Sequence, residues 1–136
     1  MMNSVPFRFL NSLTGELEAI KTRVPGIINW YSCGPTVYDD IHLGHARYFL
    51  TQDVVRRVLE GYGRYQIHFQ MGITDIDDKI IQRARLEGVE PRQLAKSFEL
   101  DFISKISQLK VSIVSSVTCI YRILSDTPAK ELFKSH

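Results

Sequence analysis

Two histidines that flank a leucine and a glycine form the segment best suited to chemistry, His42-Leu43-Gly44-His45. The segment precedes a predicted helix, whose free backbone N–H groups and dipole favour a bound anion. Imidazole N–H groups can stabilise charge that develops on a phosphoryl group, and a glycine lets a flat adenine or ribose approach the backbone. A pair of histidines on a surface loop is the alternative for this motif taken by itself. The segment is therefore a candidate binding site for nucleotide phosphates.

A cluster of three aspartates is the second candidate site, Asp75, Asp77 and Asp78. Its carboxylates could hold a magnesium ion, because hard divalent cations prefer oxygen ligands. A calcium-binding loop is excluded, since Ile80 and Leu86 stand where the turn glycine and the bidentate glutamate would be needed. The cluster also directly precedes a predicted helix, where aspartate caps free N–H groups and compensates the dipole. We favour this capping interpretation over the metal site.

The elements that must position these residues follow a strand–helix–strand–helix order. Residues 27–31 are β-branched and aromatic, and residues 65–71 alternate apolar and polar side chains as a half-buried strand does. A helix is predicted after each strand, and Pro91 begins a further one. This order is typical of a βαβ unit, so we expect an α/β fold with a Rossmann-like parallel sheet, preceded by a short hairpin or an extended pair of segments over residues 7–20. The first helix is predicted to bury Leu50, Val54, Val55, Val58 and Leu59.

The composition is that of an ordinary globular domain and excludes several classes of protein. Of 136 residues, 44% are hydrophobic and 24% charged, so the chain is neither disordered nor fibrous. A net charge of +2 is too small to indicate a general nucleic-acid binder. The uncharged stretches 24–38 and 111–121 are shorter than the roughly 20 residues that cross a bilayer. Two cysteines without a disulfide pattern predict a reducing compartment, and no targeting signal is visible at the N-terminus.

Three strings of residues follow the order and spacing of one known family. They are Cys33-Gly-Pro-Thr-Val-Tyr-Asp39, the two-histidine segment, and Gly72-Ile-Thr-Asp-Ile-Asp-Asp-Lys-Ile-Ile81. Together they resemble the cysteinyl-tRNA synthetases over residues 7–111. The resemblance implies the first half of a class I synthetase catalytic domain, truncated. It also implies that the full-length relative activates cysteine with ATP and magnesium to cysteinyl-adenylate and then transfers the cysteine to tRNA(Cys).

The same resemblance implies roles for individual residues. Cys33 would be the first ligand of a zinc ion, which favours the thiolate of substrate cysteine over the hydroxyl of serine. The other zinc ligands are not identifiable in the sequence. The implied site residues are His42, Leu43, Gly44 and His45 for ATP binding, with all but Leu43 catalytic, and Cys33, Gly34 and Thr74 for contact with the substrate cysteine.

Two features depart from the family pattern. Some relatives form cysteine persulfide with pyridoxal phosphate held by two lysines, but here Lys79 is followed by Gln82 in place of the second lysine. Glutamine forms no Schiff base, so we expect no such activity. After Val111 the sequence diverges, and we predict that residues 1–111 form the catalytic part and residues 112–136 a separate tail that pairs poorly with the core. Little aminoacylation activity is expected of the truncated chain.

Two alternatives to a tRNA ligase remain open at this stage. One is a related ATP-dependent ligase that transfers cysteine to an amine, and the other is a non-catalytic form that binds a nucleotide or a protein. Gly72, where many relatives carry asparagine, resembles the animal mitochondrial branch and implies the mitochondrial matrix. The lack of a visible presequence would instead indicate the cytoplasm. No membrane association is expected, and the oligomeric state is open.

Overall fold

The chain forms two small sheets and three helices in the part that the structure describes, residues 7–112 and the strand 116–119 of a computed structural model. A short antiparallel hairpin comes first and confirms the predicted one. In chain order the elements are β1 Arg8–Leu10, β2 Leu17–Ala19, β3 Ile27–Thr36, α1 Leu43–Gly61, β4 Gln66–Thr74, α2 Asp78–Glu87, α3 Pro91–Gln108 and β5 Ser116–Cys119.

The main sheet is parallel, with β4 between β3 and β5. Its β3–α1–β4 unit confirms the predicted Rossmann-like α/β arrangement, and β3 continues past the predicted end at residue 31 to Thr36. β5 pairs Gln70 with Ser116 and Ile73 with Cys119. The expectation that the tail pairs poorly with the core is therefore wrong for these four residues. The boundary between residues 111 and 112 stays a prediction, and the rest of the tail lies outside the described residues.

One face of the sheet carries the core. The alternation in β4 buries Ile67, Phe69 and Met71 on that face, as the sequence pattern predicts, and the strand continues to bury Ile73 as well. Phe49 of α1 and Phe102 of α3 meet over it, with ring centroids 5.2 Å apart. α3 begins with Pro91 after its N-cap Glu90 and buries Leu94, Phe102 and Ile106. The opposite face exposes Tyr31, His68 and Gln70.

The buried side of α1 differs from the predicted one. Phe49, Asp53 and Leu59 are buried, whereas Val54 is 58% exposed and Leu50 and Val58 are also exposed. The prediction of a stripe through Leu50, Val54 and Val58 is wrong, because the helix turns the charged Asp53 towards the interior and these three side chains towards the surface. Asp53 is instead buried in ion pairs with Arg56 at 2.8 Å and Arg57 at 2.6 Å.

Asp53 also joins α1 to the segment that follows α3. Its Oδ1 accepts a hydrogen bond from the backbone N–H of Ser112 at 3.1 Å, and Arg57 donates to the carbonyl of Lys110 at 3.1 Å. These bonds fix residues 110–112 against α1. Within the described ranges, none of the helices has both the length and the apolar character needed to cross a membrane.

Candidate functional site

The two predicted histidines meet at the N-terminus of α1. His42 is the N-cap residue, and its Nδ1 accepts a hydrogen bond from the backbone N–H of Gly44 at 3.1 Å. In return, the backbone N–H of His42 donates to Nδ1 of His45 at 3.2 Å. This reciprocal arrangement is a capping box built from two imidazoles rather than from the usual serine and glutamate. The rings stack with centroids 4.0 Å apart.

This geometry assigns the tautomer of both rings. Because each Nδ1 accepts a backbone hydrogen bond, each neutral imidazole carries its proton on Nε2. The two Nε2–H groups are then free to donate to a ligand. Partial burial, and secondarily the neighbouring His42, lower the pKa of His45 below its ordinary value of 6.5. The neutral, Nε2-protonated form of His45 is therefore favoured at neutral pH.

Gly44 has a structural reason for lacking a side chain. A Cβ at this position would lie 2.8 Å from Cε1 and 2.9 Å from Nδ1 of His42. Contacts this short would force the His42 ring away from the helix end and break its cap. The glycine therefore permits the stacked histidine pair, a role that the sequence analysis did not predict. The predicted approach of adenine or ribose to Gly44 stays a prediction.

The histidines line a cavity of about 250 Å³ at the carboxyl edge of the sheet. Its walls come from the loop between β3 and α1, from Phe98 and Phe102 of α3, and from Lys79 of α2. The ammonium group of Lys79 lies 5.5 Å from the centroid of the Tyr38 ring, within cation–π range. Sequence reasoning considered Lys79 only as a pyridoxal-phosphate residue. Its position directly after the cap that follows β4 could have placed it at this edge.

Two ion pairs hold the loop that leads to His42. Arg83 of α2 binds Asp39 at 2.9 Å, and Lys105 of α3 binds Asp40 at 2.6 Å. A backbone hydrogen bond from Asp40 and then the Arg83 guanidinium lower the pKa of Asp39. Asp101 first and Asp40 second raise the pKa of Lys105. The Asp39 carboxylate therefore stays ionised, and each carboxylate of the loop is paired with a basic side chain of another helix.

The residues predicted to contact substrate cysteine lie on the strands beside the histidine cavity rather than in its wall. Cys33 is exposed on β3 opposite Gly72, and Thr74 is the last residue of β4. Gly34 packs so closely on β4 that a Cβ would lie 2.9 Å from the carbonyl oxygen of Gly72. Cys33, Gly34 and Thr74 do not line the cavity that His42 and His45 line.

The described residues do not fit the predicted zinc site. Within residues 7–112, no group of three or more histidine, cysteine, aspartate or glutamate side chains could hold a metal ion. Cys33 thus offers one thiol without companion ligands in this part of the chain. Of the three aspartates, Asp77 is the N-cap of α2 and accepts from the N–H of Lys79 at 2.9 Å, and Asp78 lies in the first turn. The capping interpretation is confirmed for these two.

A larger open groove lies outside this site. It measures about 920 Å³ and runs between the segment after β4 and the first half of α3. Asp75 and Ile76 form one side, and Glu90 to Leu100 provide the other. None of the predicted catalytic or cysteine-binding residues lines it. The histidine cavity is smaller, yet it carries the helix N-terminus, the imidazole donors and the lysine that an anion requires.

Comparison with known proteins identifies the family. A sequence profile described as tRNA synthetases class I (C) catalytic domain matches residues 19–126. The chain belongs to this family. The synthetase match begins in β2 and extends beyond Val111, the end of the motif resemblance, to include β5. The parallel α/β sheet is the fold expected of such a domain.

Individual relatives carry the name cysteine–tRNA ligase. The ligase of Encephalitozoon cuniculi is 40% identical over 113 residues, which are 83% of this chain and 24% of that protein. The cytoplasmic ligase of Drosophila melanogaster is 44% identical over 103 residues, 76% of this chain and 14% of that protein. A probable mitochondrial ligase of Dictyostelium discoideum is 45% identical over 84 residues, 62% of this chain and 14% of that protein.

These relatives set two limits on what the similarity implies. The chain spans less than a quarter of the length of each of the three synthetases. The relatives include both a cytoplasmic and a mitochondrial protein, so similarity to them does not select a compartment. The family is established, whereas the activity of this chain is a matter for proposal.

Proposed function

We propose that this chain supplies the nucleotide-binding part of a synthetase that activates cysteine with ATP for transfer to tRNA(Cys). The single observation that carries the proposal is the imidazole capping box at the N-terminus of α1. It presents two Nε2–H donors beside a positive helix end, which is an arrangement suited to phosphate. The family name and the ligase relatives supply the substrate class.

In the proposed reaction the carboxylate of cysteine attacks the α-phosphorus of ATP. The bond from that phosphorus to the bridging oxygen breaks, and pyrophosphate leaves with the bond electrons. Negative charge develops on the oxygens around the α-phosphorus during attack, and preorganised hydrogen-bond donors stabilise such charge strongly. His42 and His45 would donate through Nε2, because their Nδ1 atoms are already held by the backbone. Magnesium would enter bound to the phosphates of ATP.

Substrate cysteine would bind at the exposed side of the β3 and β4 ends. We propose contacts from Cys33, Gly34 and Thr74 there, supported by the pairing of Cys33 with Gly72 and of Thr36 with Thr74 across the two strands. Transfer to tRNA and completion of the cysteine site would need parts of a synthetase that the relatives possess outside the matched region. For the 136-residue chain alone we propose ATP binding with little activation of cysteine.

The test combines binding with pyrophosphate exchange. We expect the purified chain to bind ATP, and we expect His42→Ala and His45→Ala to abolish that binding. Cysteine-dependent exchange of pyrophosphate into ATP, measured with added zinc, should be weak. Robust exchange would contradict the expectation of little activity, and a chain that binds no ATP would contradict the proposed nucleotide site. Transfer of cysteine to a small amine would favour the amine ligase.

A further inference from the structure

Lys79 stands in a position where its charge does not help the fold. It is the second residue of α2, after the N-cap Asp77. The N-terminal end of a helix dipole is positive, so a cation in the first turn is unfavourable there. In the described part of the chain Lys79 forms no ion pair, in contrast to Arg83 and Lys105, which flank the same cavity. Its recorded contact is the ring of Tyr38.

The charged side chains at the cavity form two ion-pair networks, and Lys79 belongs to neither of them. Asp39 and Asp40 are the carboxylates of its wall, and each is bound to a basic side chain of another helix. Arg83 is bound further by Glu87 at 2.7 Å, and Lys105 by Asp101 at 2.6 Å. In these two networks four carboxylates surround two basic side chains, and none of these carboxylates forms an ion pair with Lys79. Lys79 therefore supplies a positive charge to the cavity wall that the paired groups do not neutralise, in the same wall as the positive end of the α1 dipole.

From this geometry we propose that Lys79 is a phosphate-binding residue, which reaches the phosphates of the nucleotide that His42 and His45 hold. The inference rests on the proposed function, since it assigns a further residue to the same nucleotide site. A lysine ammonium is a flexible point charge with three donors, suited to following a polyphosphate. The Tyr38 ring, 5.5 Å from the ammonium nitrogen and part of the same wall, holds that group at the cavity.

Lys79→Gln is the variant that tests this proposal, and Arg85→Gln is its matched control. Both remove one positive charge from α2, but Arg85 is exposed and does not line the histidine cavity. Isothermal titration calorimetry with ATP should show a dissociation constant about tenfold larger for Lys79→Gln than for the wild type, as expected for the loss of one charge-assisted hydrogen bond. Lys79→Arg should keep most of the affinity. Adenosine, which has no phosphate, should bind the Lys79→Gln variant and the wild type equally.

Thermal melting is the control that shows whether each variant is folded. The melting temperature of Lys79→Gln should be no lower than that of Arg85→Gln, because the lysine opposes the dipole of α2. Equal ATP affinity of the two variants would overturn the inference while leaving the proposed function intact. Inorganic tripolyphosphate is the second probe. If tripolyphosphate binds in a Lys79-dependent manner while ATP does not bind, Lys79 remains a phosphate-binding residue and the proposed nucleotide site fails. If neither probe binds, both fail.

Discussion

Gly44 is needed for the shape of the histidine pair. A Cβ at this position would come within 2.8 Å of the His42 ring. We expect Gly44→Ala to displace the ring and remove the N-cap of α1, which lowers the free energy of unfolding by about 1 kcal/mol. Chemical denaturation measures this loss. An ATP titration of the same variant should show weaker binding, since the displaced ring no longer aims its Nε2–H at the cavity.

Gly61→Ala is the matched control for the Gly44→Ala substitution. It adds the same methyl group to the same helix, at a position where nothing lies within 4 Å of the new atom. Alanine has a higher helix propensity than glycine, so this variant should be as stable as the wild type or more stable. Equal losses of stability in the two variants would show that the His42 contact is not the cause.

The histidine pair should also make stability depend on pH. The pKa of His45 is lowered in the folded chain, so the unfolded chain binds more protons below the ordinary value of 6.5. The free energy of unfolding should therefore be constant above that pH and decrease as the pH falls towards the lowered pKa. Denaturation across this range measures the effect. In His45→Asn, which keeps an acceptor but does not titrate, the decrease should be smaller; an unchanged slope would contradict the assignment.

At the scale of single elements, α1 depends on a buried charge. The Asp53 side chain is 7% exposed and binds Arg56, whose side chain is 11% exposed. Asp53→Asn keeps an oxygen for the N–H of Ser112 but leaves the arginine without its counter-charge. Removing one partner of a buried pair is strongly destabilising, so we expect a loss of about 3 kcal/mol in the free energy of unfolding.

An exposed pair on α3 provides the comparison. Asp101 binds Lys105 across one helical turn, and both side chains are more than one-third exposed. Asp101→Asn makes the same chemical change there, and solvent screening leaves an exposed pair with only a small contribution to stability. Denaturant unfolding should show a much larger loss in the free energy of unfolding for Asp53→Asn than for Asp101→Asn. A loss for Asp53→Asn no greater than that for Asp101→Asn would show that the buried pair is not needed.

The accuracy of the sequence predictions follows from how local each signal is. The parallel sheet was predictable because the alternation in β4 and the strand–helix order are visible within short windows. The buried face of α1 was not predictable, because an aspartate is expected to be exposed to solvent unless its buried arginine partner is known. The histidine pair was predicted because both residues lie within one four-residue segment. Lys79 lies in another string, and only the parallel pairing of β3 and β4 brings the two to one edge.

At the scale of the whole molecule, β5 decides whether the tail is part of the fold. Removing residues 113–136 would leave β4 with an open edge, and unpaired edges promote association. We expect the shortened chain to melt at a lower temperature and to self-associate. Thermal melting and size-exclusion chromatography with light scattering measure these changes. An unchanged melt and a monodisperse shortened chain would instead support a separate tail beginning after Val111.

The contact between Tyr31 and Gly72 constrains how this family can vary. Tyr31 is 63% exposed, and its ring lies flat enough over β4 that a Cβ at Gly72 would overlap its hydroxyl oxygen. A relative with any side chain at the position of Gly72 must therefore move or replace the aromatic ring at the position of Tyr31. We expect a Gly72→Ala variant to turn the exposed Tyr31 ring away from β4, which a change in tyrosine fluorescence or in the chemical shifts of the ring would report.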